Sequence, residues 1–306
     1  MAEGTDVVRA GERTDITVII PTYDRLWSLP RAVQSCRGTR CVVQIIVADD
    51  GSHDGTMEWL REQPDVVALH QPNLGKGWAV ALAMRHATGR YIKFLDSDDA
   101  IVEGALDRQL LTADTHKADL VFSGFEIVEE NGDPIGRRPR SASDDFIAQQ
   151  LGEGDGSHYS AFLFRRSFIA DIPHRADYGA VDDRMFILEV ALAGPVVVSD
   201  PEPALLHTVH ARDRMQGYRG LASAATNHQR VQLFRRILER LLDSGELTGR
   251  RRRAVAPTLW SLSHWIAYAY PDEACDVAEW VYRLVPDFVP PDAGAIGFAY
   301  RTIGFR

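Results

Sequence analysis

Tyr91-Ile92-Lys93-Phe94-Leu95-Asp96-Ser97-Asp98-Asp99 sets a short, mostly apolar run directly against three carboxylates. The run has the length and composition of a buried strand. The acidic residues therefore start at a strand terminus, where at least two of them have little freedom to turn away. Clustered like charges repel unless a cation joins them. A divalent ion with phosphate oxygens completing its shell is the natural partner, because hard cations prefer oxygen ligands. The plain structural alternative is a solvated acidic turn in which Asp99 caps a helix beginning near Val102.

Working outward, Ile16 to Ile20 is a β-branched run ended by Pro21, and Val42 to Val47 and Val66 to Leu69 are further apolar runs. Helical stretches lie between them near Leu26 to Cys36, Thr56 to Glu62 and Gly77 to Ala87. Short strands alternating with helices predict a mostly parallel sheet covered on both faces. Ligands of such sheets sit at the carboxyl ends of the strands. Each predicted strand end here is polar: Pro21-Thr22-Tyr23-Asp24-Arg25, Asp49-Asp50-Gly51-Ser52, Asn73-Leu74-Gly75-Lys76-Gly77 and Asp96-Ser97-Asp98-Asp99, all expected on one rim.

In the second of these, Gly51 permits a tight turn and Ser52 or Asp54 suits a helix cap, but capping does not explain two adjacent carboxylates. One of them could accept from a nucleobase N–H. The glycine-flanked Lys76 stands at a helix start, where backbone N–H groups and a cation favour an anion. The spacing is not that of a Walker phosphate loop.

These elements, in this order, resemble the family 2 glycosyltransferases of the GT-A fold. The resemblance runs from Val18-Ile19-Ile20-Pro21-Thr22-Tyr23-Asp24-Arg25 through Val47 to Thr56 and Asn73 to Gly77, and ends with Ala87 to Asp99. It implies a Rossmann-like, mostly parallel α/β sheet and a nucleotide pocket in which Pro21, Thr22, Tyr23 and Asp50 contact the base. The Gly75-Lys76 loop would close its side, with Arg25 and Ser97 also lining the donor site. Asp96 and Asp98 would be the Asp-x-Asp pair, the first near the ribose or the metal and the second directly on the Mn2+ or Mg2+ of the donor diphosphate, where the ion stabilises charge on the leaving group.

Val181-Asp182-Asp183-Arg184 and the residues following resemble the acidic motif that opens a helix beneath the acceptor. Asp182 stands where the family has Glu, and Asp183 aligns with the catalytic base; both acids would also favour a helix N-terminus as such. Leu205-Leu206-His207-Thr208-Val209-His210 resembles a late strand whose histidine approaches the metal or the diphosphate in some members. His210 is the candidate ligand and His207 the alternative, with Arg212 or Arg214 as phosphate partners.

Beyond Leu120 to Glu129, a turn at Asn131-Gly132 and a strand at Ala161 to Phe164, the sequence predicts a helix at Asp182 to Ala193 and strands at Val196 to Ser199 and Ala204 to His210. Past Gly220 two or three helices are expected. Val231, Phe234, Ile237, Leu238, Leu241 and Leu242 mark an apolar face, and Trp260, Trp265, Tyr268 and Trp280 read as helix core. The basic run Arg250 to Arg253 is expected between the first two helices, as a solvated helix start. The resulting organisation is a flexible leader over 1–14, a GT-A domain over 15–218 with its halves meeting at 118/119, and a helical extension over 219–306.

With 306 residues, 45% of them hydrophobic, the chain can bury an enzyme-sized core. A formal charge of −9 disfavours nucleic acid as a partner. Three cysteines without metal or disulfide spacing suggest a reducing, cytoplasmic setting. No stretch has the length of a membrane span, which leaves peripheral association open. The expected activity is transfer of a hexosyl or N-acetylhexosaminyl group, with inversion, from a nucleotide diphosphate sugar, by default a UDP-sugar, to a hydroxyl or amine of a glycan, lipid-linked or small-molecule acceptor. The rivals are a sugar nucleotidyltransferase, which would carry a glycine-rich basic loop after the first strand, and a non-catalytic nucleotide-sugar-binding protein.

Overall fold

The computed structural model describes residues 13–139, 143–154, 158–174, 176–210 and 220–291. In chain order these hold β1 (Ile16–Thr22), α1 (Leu29–Ser35), β2 (Val43–Asp49), α2 (Thr56–Arg61), β3 (Val66–His70), α3 (Lys76–Met84), β4 (Tyr91–Phe94), β5 (Ala100–Ile101) and α4 (Ala105–His116). There follow β6 (Leu120–Glu129), β7 (Pro134–Arg138), α5 (Phe146–Leu151), β8 (Phe162–Arg165), α6 (Arg166–Ile169), α7 (Asp182–Leu192), β9 (Val197–Val209), α8 (Gly220–Asp243), α9 (Gly249–Ile266) and α10 (Pro271–Leu284). Short 3-10 stretches at Tyr159–Ala161 and Ala176–Val181 precede β8 and α7.

The chain divides into two compact units. Met1–Ser143, Ser157–Gly179 and Ala193–Ala211 form the first; Asp144–Gly156, Ala180–Leu192 and Arg212–Arg306 form the second. Stretches 144–156 and 180–192, which the sequence assigns to the acceptor half, thus group with the C-terminal helices.

In the first unit, a nine-stranded sheet runs β3-β2-β1-β4-β8-β6-β9-β5, with β7 paired to β6. The parallel ladder expected from the strand–helix alternation is found in β3-β2-β1-β4. Beyond β4 the sheet is mixed, since β8 lies antiparallel to both β4 and β6 while β6 and β9 run parallel. β1 is buried along its whole length, as a strand covered on both faces must be. Pro21 does not end it: Pro21 and Thr22 continue in register with Ala48 and Asp49. Ile16, Val18 and Ile20 pack in one cluster with Leu29, Ala32 and Val33 of α1, each fully buried Ile, Leu or Val side chain contributing roughly 1.5–3 kcal/mol. Gly89 fixes where β4 starts, because a Cβ there would lie 2.4 Å from the Thr17 backbone nitrogen. Its N–H donates to Thr17 Oγ1 at 2.9 Å.

The two late strands predicted at 196–199 and 204–210 are one strand, β9, whose register against β6 shifts between Ser123 and Phe125. That irregularity accommodates Pro201 and Pro203, which cannot donate to a ladder. β7 has no sequence signal, because Pro-Ile-Gly-Arg-Arg does not alternate; it is a mostly exposed edge hairpin partner.

In the second unit, Val231, Phe234, Ile237, Leu238 and Leu241 are buried as expected, whereas Leu242 is 59% exposed. One residue past Leu241 is a turn of about 100° around the helix. Trp260 is buried, Trp280 is half-buried, and Trp265 and Tyr268 are exposed, so the core reading fails for the last two. Five residues separate Trp265 from Trp260, which places it about 140° away around α9. The run Arg250 to Arg253 lies inside α9, at its start, rather than between helices. Arg250 pairs with Asp144 at 2.7 Å and Glu153 at 2.8 Å, and Arg251 with Asp145 at 3.0 Å. The Arg184 guanidinium donates to both Gln150 oxygens, tying α7 to α5, and burial pushes it down to about 10. Among the described residues no helix is long and apolar enough to cross a membrane.

Candidate functional site

The ends of β1 and β2 are stitched together reciprocally. Asp24 N–H donates to Ser52 Oγ at 2.8 Å, and His53 N–H donates to Asp24 Oδ1 at 2.7 Å. Asp54, expected as a cap, accepts from Leu26 N at 2.8 Å and from the Thr56 hydroxyl at 2.6 Å. Between these contacts Tyr23 stands 42% exposed, and the buried Thr22 Oγ1 has no hydrogen-bond partner among the described residues.

The two carboxylates ending β2 do different work. Asp49 is fully buried and accepts from Ser52 N at 3.2 Å and faces His70 Nδ1 at 2.7 Å. Asp50 accepts from Gln71 Nε2 at 2.7 Å, Leu74 N at 2.9 Å and Gly75 N at 2.8 Å. Three of about four lone-pair sites of a carboxylate are thereby used. Asp50 thus shapes the loop that delivers Lys76. Gly51, with φ +87°, belongs to the same contact: a Cβ would lie 2.8 Å from Asn73 N.

Lys76 opens α3 and its Nζ meets Asp96 Oδ1 at 2.6 Å, above the ring of Tyr159. Burial alone would raise the Asp96 carboxyl. The Lys76 ammonium, aided by His158 and His207, overcomes this and holds it at about 2. Asp96 N–H donates to Ser160 Oγ at 3.2 Å. Asp98 Oδ2 accepts from Arg25 Nη1 at 3.1 Å and faces His210 Nε2 at 2.9 Å. The His210 side chain is fully buried against the edge of Trp27, and its Nδ1 has no partner among the described residues. Ser97 is buried between the two acids. Arg31 Nη2 donates to Asp98 O at 2.7 Å and Thr208 Oγ1 at 2.6 Å, clamping this turn to β9.

Asp99 does not cap a helix. Gly104 occupies the cap position of α4, and the buried Asp99 carboxylate accepts from Thr208 N at 2.9 Å and faces His207 Nδ1 at 3.1 Å.

The structure therefore brings Arg25, Asp98 and His210 together and sets Lys76 against Asp96, with Ser97 between the two acids in the chain, all in the first unit; among the described residues the acid–histidine group whose ligand atoms lie within 4.8 Å of one another is Asp99, His158 and His207, not Asp96, Asp98 and His210. Pro21, Thr22, Tyr23, Asp50 and Gly75 stand on the flanking strand ends and loop. Asp182 and Asp183 lie in the second unit, in the first turn of α7. Asp182 is buried; Asp183 is half-buried and accepts from Arg184 N at 2.7 Å. Arg212 and Arg214 lie outside the described residues. Sequence reasoning missed Arg31, His158, Tyr159 and Ser160. The polar Gly156-Ser157-His158-Tyr159-Ser160 run, standing directly before a predicted strand, is the signal that marks the last three.

Residues 17–172 match glycosyl transferase family 2. The chain belongs to that family. The succinoglycan biosynthesis protein ExoO of Rhizobium meliloti is 31% identical over 123 residues, 39% of this chain and 35% of that protein. The UDP-Glc:alpha-D-GlcNAc-diphosphoundecaprenol beta-1,3-glucosyltransferase WfgD of Escherichia coli is 28% identical over 120 residues, 38% of this chain and 47% of its own. In the Rickettsia felis relative the matched stretch spans only 20% of the length. The S. aureus TarS 1-349 structure in complex with UDP-GlcNAc aligns at TM-score 0.60 and 14% identity over 95% of this chain and 93% of that one. The mannosyltransferase PcManGT from Pyrobaculum calidifontis, in complex with GDP-Man and Mn2+, aligns at TM-score 0.53 and 17% identity over 96% and 85%. At such identities the likeness is one of fold, and the GT-A fold expected from the resemblance is the one found. Within this family 2 chain, Asp182, Asp183 and His210 lie past the matched stretch, which ends at 172.

Proposed function

We propose that this family 2 chain transfers a hexosyl or N-acetylhexosaminyl group from a UDP-sugar to an acceptor hydroxyl or amine, with inversion at the anomeric carbon. The observation that carries the reading is the acidic pair after β4, Asp96 countered by Lys76 and Asp98 by Arg25, with the His210 imidazole beside the second. The nucleotide donors named for TarS, WfgD and PcManGT support the donor class.

Two carboxylates and an imidazole are a donor set that suits Mn2+, and Mg2+ through the oxygens alone. Asp98 Oδ2, an acceptor 2.9 Å away, places the proton of a neutral His210 on Nε2; ligation through Nε2 would move that proton to Nδ1, which has no partner among the described residues. Asp96, Asp98 and His210 would hold the ion. When bound, such an ion stabilises charge on the departing diphosphate.

The chain's own residues supply the rest. Lys76 and Arg25 bring two fixed positive charges to the diphosphate oxygens. Pro21, Thr22 and Tyr23 receive the base, and Thr22 Oγ1, buried without a described partner, offers it a hydrogen bond. Asp50 retains one lone-pair site for a base N–H while its other bonds hold the Gly75-Lys76 loop. Asp183, as general base, takes the acceptor proton while the acceptor forms its bond to the anomeric carbon and the diphosphate leaves with the electron pair. The free thiols Cys36, Cys41 and Cys275 support a reducing, cytoplasmic setting.

The test is UDP release from a panel of UDP-sugars offered with glycan, lipid-linked and small-molecule acceptors. Asp183→Asn is expected to lower kcat by about 10²- to 10⁴-fold while leaving donor affinity within about twofold. Undiminished transfer by Asp183→Asn would transfer the role to Asp182 or remove it from α7.

A further inference from the structure

We propose that Asp99, His158 and His207 form a second metal site, specific for a Zn2+-class ion, that fills without nucleotide and is separate from the Asp96 and Asp98 pair. The ligating atoms of these three residues all lie within 4.8 Å of one another. Asp99 Oδ1 stands 3.1 Å from His207 Nδ1, and Asp99 Oδ2 stands 3.6 Å from His158 Nε2. The two imidazole rings are 4.6 Å apart between centroids. All three residues belong to the first unit.

The separation from the donor site follows from the side chains of two adjacent residues. Asp98 turns to Arg25 and His210, whereas Asp99 turns to β9 and the two imidazoles. Asp99 is held in that orientation by Thr208 N–H at 2.9 Å, and a ligating carboxylate oriented by a backbone donor is the arrangement that sharpens metal affinity. The carboxylate is 1% exposed and the imidazoles 26% and 19%. The acid is thus shielded, and the two imidazoles are partly exposed.

The donor set decides the class of ion. Two imidazoles and one carboxylate suit zinc and its cobalt analogue, whereas magnesium and calcium demand oxygen shells that this site lacks. Ser160 N–H donates to His158 Nδ1 at 3.3 Å, which places the His158 proton on Nε2, facing Asp99. Ligation through Nε2 moves that proton to Nδ1 and gives up the Ser160 contact, which lies at the long end of the hydrogen-bond range. His207 ligates through Nδ1 with its proton on Nε2.

The three ligands come from the turn after β4, the residue before the 3-10 stretch at Tyr159–Ala161, and β9. An ion there ties together the segments that carry Asp98, the Ser160 hydroxyl bonded to Asp96 N, and the strand leading to His210. Its effect is on the rigidity of the donor turn, and its existence does not depend on the transferase reading.

The experiment uses the full chain, stripped by a chelator and titrated with Co2+ and then Zn2+ in the absence of nucleotide. Wild type and Asp98→Asn are each expected to bind one ion per chain, with visible Co2+ d–d bands and a Zn2+-induced rise in Tm. His158→Ala and His207→Ala are expected to bind at least about tenfold more weakly and to lose the bands, with circular dichroism reporting that they fold. Should an alanine variant not fold, His158→Gln serves in its place. Absence of nucleotide-free binding by wild type would overturn the proposal. So would binding that disappears in Asp98→Asn and survives in His158→Ala, which would assign the ion to the donor site.

Discussion

Lys93 places an ammonium group at 0% exposure in the middle of β4, one residue before the apolar pair that leads into Asp96. Its Nζ donates to Gln109 Oε1 at 3.0 Å and to Phe162 O at 3.4 Å, and burial pushes it down to about 7. An unfolded lysine titrates near 10.5. The folded state therefore prefers the neutral amine, so this contribution to stability is complete above about pH 10.5 and is lost as pH falls through about 7. Lys93→Met is expected to flatten the rise in Tm between about pH 7 and about pH 9.5 relative to wild type. An unchanged slope would show that the amine is solvated. Lys76 is the second residue-scale case, since its Nζ meets Asp96 Oδ1 at 2.6 Å and sits on the Tyr159 ring. Lys76→Met is expected to weaken UDP binding by about tenfold or more, the worth of one charge-assisted bond, as read by calorimetry.

At the scale of elements, the turn after β2 and the loop before α3 are one construction. Asp50 bonds the backbone of Leu74 and Gly75, and Gly51 allows the Asn73 backbone to approach. Gly51→Ala combines a strained positive φ with a 2.8 Å clash and is expected to cost about 1–3 kcal/mol, visible as a lower denaturation midpoint. Wild-type stability in that variant would mean the loop moves aside without loss. The same elements show what a sequence can carry. Asp96, Asp98, Asp50 and Lys76 were legible because each follows a strand whose apolar run ends abruptly, a local signal. Asp99 was legible as an acid but not as a partner, because its bond goes to Thr208, 109 positions later. Arg31 and Ser160 were invisible for the same reason: they reach the acidic turn from 67 and 64 positions away. Trp265 and Tyr268 were misplaced because residue type was weighed without helical phase.

Over the whole molecule, the parallel half of the sheet followed from strand–helix alternation, while the mixed half depended on which late strands pair, and pairing across long separations leaves no periodic trace. The assignment of α5 and α7 to the helical unit was equally unreadable, since it rests on contacts such as Arg251 with Asp145 and Arg240 with Glu189. Asp96 and Asp98 after β4, set against Lys76 and Arg25 respectively, form the centre of the molecule's proposed chemistry. Calorimetric titration of UDP into wild type and Asp98→Ala, each with and without Mn2+, tests this most directly. The expected result is Mn2+-dependent binding by wild type that falls at least about a hundredfold in Asp98→Ala, with the fold intact by circular dichroism. Equal, Mn2+-dependent binding by both proteins would contradict it.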